Sequence, residues 1–407
     1  MTTKNPLLSV AEALNFLLNA VRPITESEII ATLEANGRVL AQKQGALLHV
    51  PPMDNTQMDG YAVRAADCAS GQARLRVSQR IPAGHIGQPL AAGTAARIFT
   101  GAMIPAGADA VVMQEQCALE DDMVTISHTP VAGEWIRRQG EDIRAGSTIL
   151  NAGTRLRAQE LGLAASVGLA SLPVVRKLRV AIFFTGDELA MPGEVLKPGA
   201  IYNSNRFLLT GLLQNLGCLV TDYGIVPDSL EATRSTLRAA AQEHDLIITS
   251  GGVSVGEEDH IKPAVEAEGR LNMWQIAVKP GKPLAFGEIR RESGSAFFLG
   301  LPGNPVSSFV TFLLFVRPFI LRLQGVPDVT PHAYTMRADF DWAKPDRRNE
   351  FLRARINETG GLALFANQSS AVLTSTVWGD GLIDLPPGQA IAAGDRVKFI
   401  PFTNLMN

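Results

Sequence analysis

Residues 245–260 read Asp-Leu-Ile-Ile-Thr-Ser-Gly-Gly-Val-Ser-Val-Gly-Glu-Glu-Asp-His and set an anion cradle beside a row of acids. Ser250, Gly251, Gly252, Ser254 and Gly256 let the backbone approach a ligand closely, and their free N–H groups can form an anion-binding nest. Glu257, Glu258 and Asp259 follow where a helix should begin. Carboxylates there suit the helix dipole but repel a bare phosphate, so the pairing fits a phosphate that arrives with a divalent cation. A tight strand-to-helix turn with an acidic first turn is the plainer alternative. Further acids stand on other loops: Asp187, Glu188 and Asp228. Lys279 and Lys282 flank Pro280 and Gly281, a stiff exposed turn from which both ammonium groups can face one anion. A surface turn with solvated lysines is the competing reading. Acids for a hard cation plus lysines for a second anion point to phosphoryl, nucleotidyl or oxyanion chemistry. The sequence holds no Ser-His-Asp order, zinc spacing, GxGxxG or Walker loop, and His260 alone is weak evidence for acid–base work.

These loops need a frame that brings them together. Over 178–325 strands and helices alternate. Strands are expected at 180–184, 218–226, 246–249, 273–278 and 296–301, and helices at 206–214, 230–241 and 306–323. Asn304 as cap with Pro305 at the first position opens the last helix. Such alternation predicts a mostly parallel, doubly wound sheet, whose ligands sit at the carboxyl ends of the strands. The loops there are 185–188, 227–228, 250–252, 279–283 and 302–305. Residues 8–44 read as two helices, the second with a capping box from Thr25 and Glu28, and 153–172 returns to a helical pattern. The expected domains are a split helical or extended piece (7–44 plus 143–177), a β-rich insertion (45–142), the central α/β domain (178–326) and a small C-terminal β-barrel (327–407).

Composition narrows the class. The chain has 407 residues, 46% hydrophobic and 19% charged, which is a globular balance long enough for several domains. With 37 basic and 40 acidic residues the net charge is −3, giving no basic surface for nucleic acid. Cys68, Cys117 and Cys218 are scattered, which suggests a reducing compartment. The N-terminus lacks the apolar core of a signal peptide, and the uncharged stretch 293–316 is broken by Pro302, Gly303 and Pro305. A cytoplasmic protein off the membrane is the expectation.

Met58-Asp59-Gly60-Tyr61-Ala62, Thr185-Gly186-Asp187-Glu188-Leu189, Ser250-Gly251-Gly252-Val253-Ser254-Val255-Gly256, Lys279-Pro280-Gly281-Lys282-Pro283 and Leu301-Pro302-Gly303-Asn304-Pro305-Val306 occur in this order. In combination they resemble the MoeA family, molybdopterin molybdenumtransferases similar to the E domains of gephyrin and of the plant enzyme. The resemblance spans about 7–405. It implies an elongated homodimer that converts adenylylated molybdopterin and molybdate, with Mg²⁺, into molybdenum cofactor and AMP. Transient contact with the adenylyltransferase and with recipient molybdoenzymes would follow. Carried over by position, Asp59, Thr100 and Asp142 resemble functional loop residues that face the partner's cleft. Glu188, Asp228 and Asp259 resemble the acids of the nucleotide and Mg²⁺ region, with Glu188 and Asp259 on the metal. Thr185, Gly186, Gly251, Gly252, Ser254, Pro302 and Pro305 resemble the pterin and AMP loops. Lys279, Lys282, Pro283, Ser307, Arg348 and Ser370 resemble the molybdate surroundings. Gln275 departs from the family pattern by replacing a frequent lysine near the oxyanion site, and Phe184 and Glu257–Glu258 depart without touching mechanism. A molybdopterin adenylyltransferase and a gephyrin-like scaffold are the alternatives, disfavoured by the flanking domains and by the absence of a linker.

Overall fold

A computed structural model describes residues 7–253 and 260–406. Its centre is a six-stranded sheet in the order Leu219–Val226, Arg179–Thr185, Leu246–Ser250, Gly294–Leu301, Pro283–Arg291, Gly269–Gln275. The first four strands are parallel, as the alternation predicts. The last two are antiparallel, and Pro283–Arg291 was not foreseen as a strand. Only Glu292 and Ser293 separate it from Gly294–Leu301, and a two-residue connection permits only a hairpin.

The central strands are apolar on both faces because both are covered. Val180, Ile182, Phe184, Ile248 and Leu299 enter one core with the Ser204–Asn215 helix and the long helix Pro305–Leu323. Ala181, Phe183, Ile247 and Phe298 enter the other, under Leu230–Glu243 and Ile261–Glu268. The long helix is apolar enough to cross a membrane by composition, but 89% of its most apolar window is buried inside the molecule, so it reads as a core helix. It carries a π turn over Phe312–Val316, beside Pro318, whose missing N–H interrupts the regular ladder. Asn304 holds the cap position without a side-chain capping bond.

The N-terminal reading needs correction. One helix forms, Val10–Ala20, started by a capping box of Ser9 and Glu12. It packs into the central core, with Ala13 and Leu17 fully buried and Phe16 edge-on to Phe286. The second helix is absent. Ser27–Ala31 is instead a strand antiparallel to Ser171–Val175, Glu28 opposite Val174, and Glu28 pairs with Arg38 rather than closing a capping box. Ile29 and Ile30 favour extended backbone once a partner strand is supplied from far along the chain. A cluster of Leu40, Leu150, Leu156, Leu172 and Val174 joins the two halves of this piece.

Between them lies a six-stranded sheet built from Gly60–Val63, Ala73–Ile81, Thr94–Ile98, Ala110–Met113, Cys117–Glu120 and Met123–Ile126. The tail forms another sheet, in the order Val278–Lys279, Asn349–Ile356, Gly381–Leu385, Arg396–Pro401, Tyr334–Arg337. Leu362–Leu364 pairs with Asn349–Ile356, and one isolated bridge, Ala338 to Leu362, links it back towards Tyr334–Arg337. The first strand of this sheet belongs to the chain's middle. The backbone leaves Gln275 in the central sheet, pairs Val278–Lys279 with Asn349 and Glu350, then returns through Pro283.

Candidate functional site

A cavity of about 1070 Å³ opens at the carboxyl ends of the parallel strands. Thr185, Gly186 and Glu188 leave one strand into it, Asp228 follows a second, Gly251 and Gly252 a third, and Pro302 and Pro305 a fourth. Lys279, Lys282 and Pro283 close one side, with Ser307, Arg348 and Ser370. Residues scattered over 186 positions thus share one wall. Ser254 and Asp259 lie outside the described residues.

The strand ends meet closely. Gly251 has φ +101°, and a Cβ there would sit 2.5 Å from the Thr185 carbonyl oxygen, so only glycine fits. Asn205, for which the sequence alone suggests no site role, ties three loops together. Its Nδ2 donates to Ser250 Oγ (2.8 Å) and to the Gly303 carbonyl (2.7 Å), while Ser250 Oγ donates to the Pro302 carbonyl (2.9 Å). Among the described residues, Asn205 Oδ1, Asn203 Nδ2 and Thr185 Oγ1 are buried without partners in the wall of this cavity. Orphaned polar atoms are rare in a finished interior and mark where a ligand or water completes the structure.

Glu188 folds its carboxylate over Gly186, and Asp228 stands half-buried on the neighbouring loop. Among the described residues no three His, Cys, Asp or Glu side chains cluster as a complete metal site. Two hard carboxylates on one wall nonetheless fit Mg²⁺, which takes one or two of them, keeps waters and binds substrate phosphates.

The cationic side differs from expectation. Lys279 is not a free charge. Its Nζ lies 2.8 Å from Glu350 Oε1 and 3.3 Å from Asp346 Oδ2. Arg348 grips Asp346 with two hydrogen bonds, Nε to Oδ1 (3.1 Å) and Nη2 to Oδ2 (3.0 Å). Burial alone would lower the Lys279 pKa, but the Glu350 and Asp346 carboxylates outweigh it and raise the value. Arg348 first, then Lys279, holds Asp346 far below the usual carboxylate range. Glu350 is 1% exposed, its other oxygen accepting from Trp342 Nε1. Lys282 is exposed and has no ion pair among the described residues. Gln275, in register with Pro283, lies off this wall.

Arg353, 1% exposed, was also missed. It donates from Nε to Ser375 Oγ, from Nη1 to Phe351 O and from Nη2 to Ser369 O, while Gln368 bonds the Arg353 backbone through both its oxygen and its nitrogen. These bonds fix the segment carrying Ser370, whose carbonyl accepts from Val306 N. A single buried arginine in a strand reads as ordinary surface in one sequence; only the tertiary bonds show its task.

Asp59, Thr100 and Asp142 do not line the cavity. Asp59 accepts from the backbone N (2.8 Å) and Oγ1 (2.7 Å) of Thr100, which lower its pKa. Asp142 is exposed, its N–H bonded to the Val50 carbonyl. Burial raises all three thiols, Cys218 to about 12, and none lines the cavity, so no thiolate chemistry is on offer there.

Three family models match along the chain: the MoeA N-terminal region (domains I and II) at 8–168, a probable molybdopterin binding domain at 181–322, and the MoeA C-terminal region (domain IV) at 335–402. Molybdopterin molybdenumtransferase of Haemophilus influenzae is 38% identical, over 98% of this chain and 100% of that one. The protein of the same name from a Nostoc species is 35% identical, over 96% and 93%. A solved molybdopterin biosynthesis MoeA protein of Pyrococcus horikoshii superposes with a TM-score of 0.85 at 28% identity, covering 97% of this chain and 100% of its own.

Proposed function

The chain belongs to the MoeA family of molybdopterin molybdenumtransferases, and from that premise we propose that the cavity at the strand ends is where adenylylated molybdopterin and molybdate meet. The enzyme is a transferase of molybdenum-cofactor biosynthesis. The carrying observation is that the Gly251–Gly252 cradle, the Glu188 and Asp228 carboxylates and the Lys279–Lys282 turn share one cavity.

In this reading the strand-end loops hold the pterin phosphate and adenylate. The Gly252 backbone N–H faces the phosphate, the Gly251 N–H being held by the Leu301 carbonyl (3.2 Å), and the atoms of Thr185, Asn203 and Asn205 that lack partners among the described residues bond the rest of the ligand. Glu188 and Asp228 would hold Mg²⁺, with Asp259 as the further acid. The ion supplies charge neutralisation at the phosphate–adenylate linkage. Lys282, which has no ion pair among the described residues, meets molybdate first, while Arg348, Ser307 and Ser370 shape its seat. The dithiolene that receives molybdenum is on the substrate, so the chain supplies no sulfur ligand. Water would cleave the phosphate–adenylate linkage, so that AMP leaves and the pterin keeps its phosphate, while the dithiolene sulfurs displace oxygen ligands of molybdate, which depart as water.

Asp59, Thr100 and Asp142 would act across a homodimer, facing the partner's cavity. Exposed Ile29 (77%) and Leu33 (91%), beside the groove lined by Leu161 and Leu169, offer apolar surface for such an interface. The domain limits given above, a tail closed into a small barrel and a cytoplasmic location belong to the same proposal. The test is AMP release from adenylylated molybdopterin on addition of molybdate. Wild type should release AMP only with molybdate present, and Glu188→Gln should bind the pterin yet release little. Release without molybdate would point to another activity.

A further inference from the structure

A second cavity, of about 1120 Å³, opens where the turn at Thr154–Arg155, the long helix at Arg317–Leu321 and the tail at Asp328–His332 meet. Among the described residues, Arg38 pairs with Glu28 and Arg157 with Glu160, while the lining acids Glu34 and Asp328 make no ion pair. Two lining guanidiniums are also unpaired. Arg317 is 8% exposed, and among the described residues it bonds the Val329 carbonyl from Nη1 (3.3 Å) and keeps a buried Nε without a partner. Arg155 bonds the Asn215 carbonyl from Nη2 (2.8 Å). Neither has a carboxylate in ion-pair range among the described residues. Burial first, and Arg155's like charge second, lower the Arg317 pKa to about 10. Exposed Lys177 adds a third positive charge to the rim.

Burying a cation without an acid is costly, and a second cation beside it raises the cost. The backbone is also irregular here, because Arg317 directly follows the π turn at Phe312–Val316, and such turns gather at functional sites. Two guanidiniums on separate elements suit a tetrahedral anion; a planar carboxylate is filled by the fork of one arginine. The volume leaves room for an organic remainder.

We propose that this cavity binds a phosphate-bearing small molecule, its phosphoryl group held between Arg155 and Arg317. The site is separate from the strand-end cavity and stands or falls without it. Calorimetric titration of the full-length protein with inorganic phosphate, AMP and citrate tests it, for wild type, Arg155→Gln, Arg317→Gln and Lys282→Ala. The expected result is phosphate and AMP binding that survives Lys282→Ala and weakens roughly tenfold or more in each arginine variant, from loss of a charge-assisted bond. Citrate should bind more weakly than AMP. Arg155 is only partly buried, so Arg155→Gln carries the test if Arg317→Gln does not fold. With no anion present, Arg155→Gln should match or exceed wild type in thermal stability at low salt, and phosphate should raise the midpoint of wild type and Lys282→Ala more than that of Arg155→Gln. Undiminished phosphate affinity in Arg155→Gln, absence of any phosphate binding that survives Lys282→Ala, or citrate binding as tight as AMP overturns the assignment.

Discussion

Removing Lys279 should damage stability before it damages chemistry. Glu350 is 1% exposed and would lose its cation, keeping only the Trp342 Nε1 bond. A 2.8 Å pair is worth about 6 kcal/mol at an effective dielectric of 20. Because the Lys279 side chain is 39% exposed, solvent screens much of this, and about 2–4 kcal/mol is the expected loss for Lys279→Ala. Adding Glu350→Gln removes the stranded charge and should restore most of it. The assay is urea unfolding of wild type, both single variants and the double variant. The pH dependence has a definite sign. Asp346 is depressed, so its contribution is present above its unfolded pKa of about 3.9 and fades as pH falls below that. Lys279 is raised, so its contribution is full below about 10.4 and fades as pH rises further. A Lys279→Ala protein as stable as the double variant would falsify the picture of Glu350 as a carboxylate needing its lysine.

Lys282→Ala should raise the molybdate concentration for half-maximal cofactor formation by roughly ten- to a hundredfold with little change in unfolding, since this exposed lysine has no ion pair among the described residues. Gln275→Lys should change that concentration only at low ionic strength, because residue 275 lies off the cavity wall; a gain that persists in high salt would contradict this. Arg353→Met should raise the molybdate requirement through the Ser370 segment while leaving pterin binding unchanged; equal losses in both would refute that route. Leu33→Glu should convert a dimer into monomers by light scattering if the exposed Ile29–Leu33 surface is the interface, and an unchanged mass would exclude it.

The parallel half of the central sheet was legible because each strand is a short apolar run ending in a glycine- or proline-rich loop. Loops at strand ends converge by topology alone, so Thr185, Asp228, Gly251 and Pro302 could be placed on one edge without side-chain information. What was hidden depends on distant partners. Ser27–Ala31 carries a passable helix-start signal, and only Ser171–Val175 makes it a strand. The cations were readable, but Asp346 and Glu350 were not, because an acid seventy residues from its lysine leaves no local spacing to recognise. Asn205 and Arg353 were missed for the same reason, since their bonds reach loops that are neighbours only in three dimensions.

The excursion of Val278–Lys279 into the tail's sheet bears on how the protein can be recombined. Leu8 bridges Ile276, and Ala277 accepts from Asn349 N, so both ends of the chain clasp the same few residues. A graft of 178–326 alone would leave this loop without its template, and the Lys279 ammonium without its acids. Chimaeras between relatives should therefore exchange 276–283 together with 346–350 as one cassette, although residues 284–345 separate them. Crossovers between those two segments should give proteins that fold as separate parts yet present a misaligned Lys279–Lys282 turn.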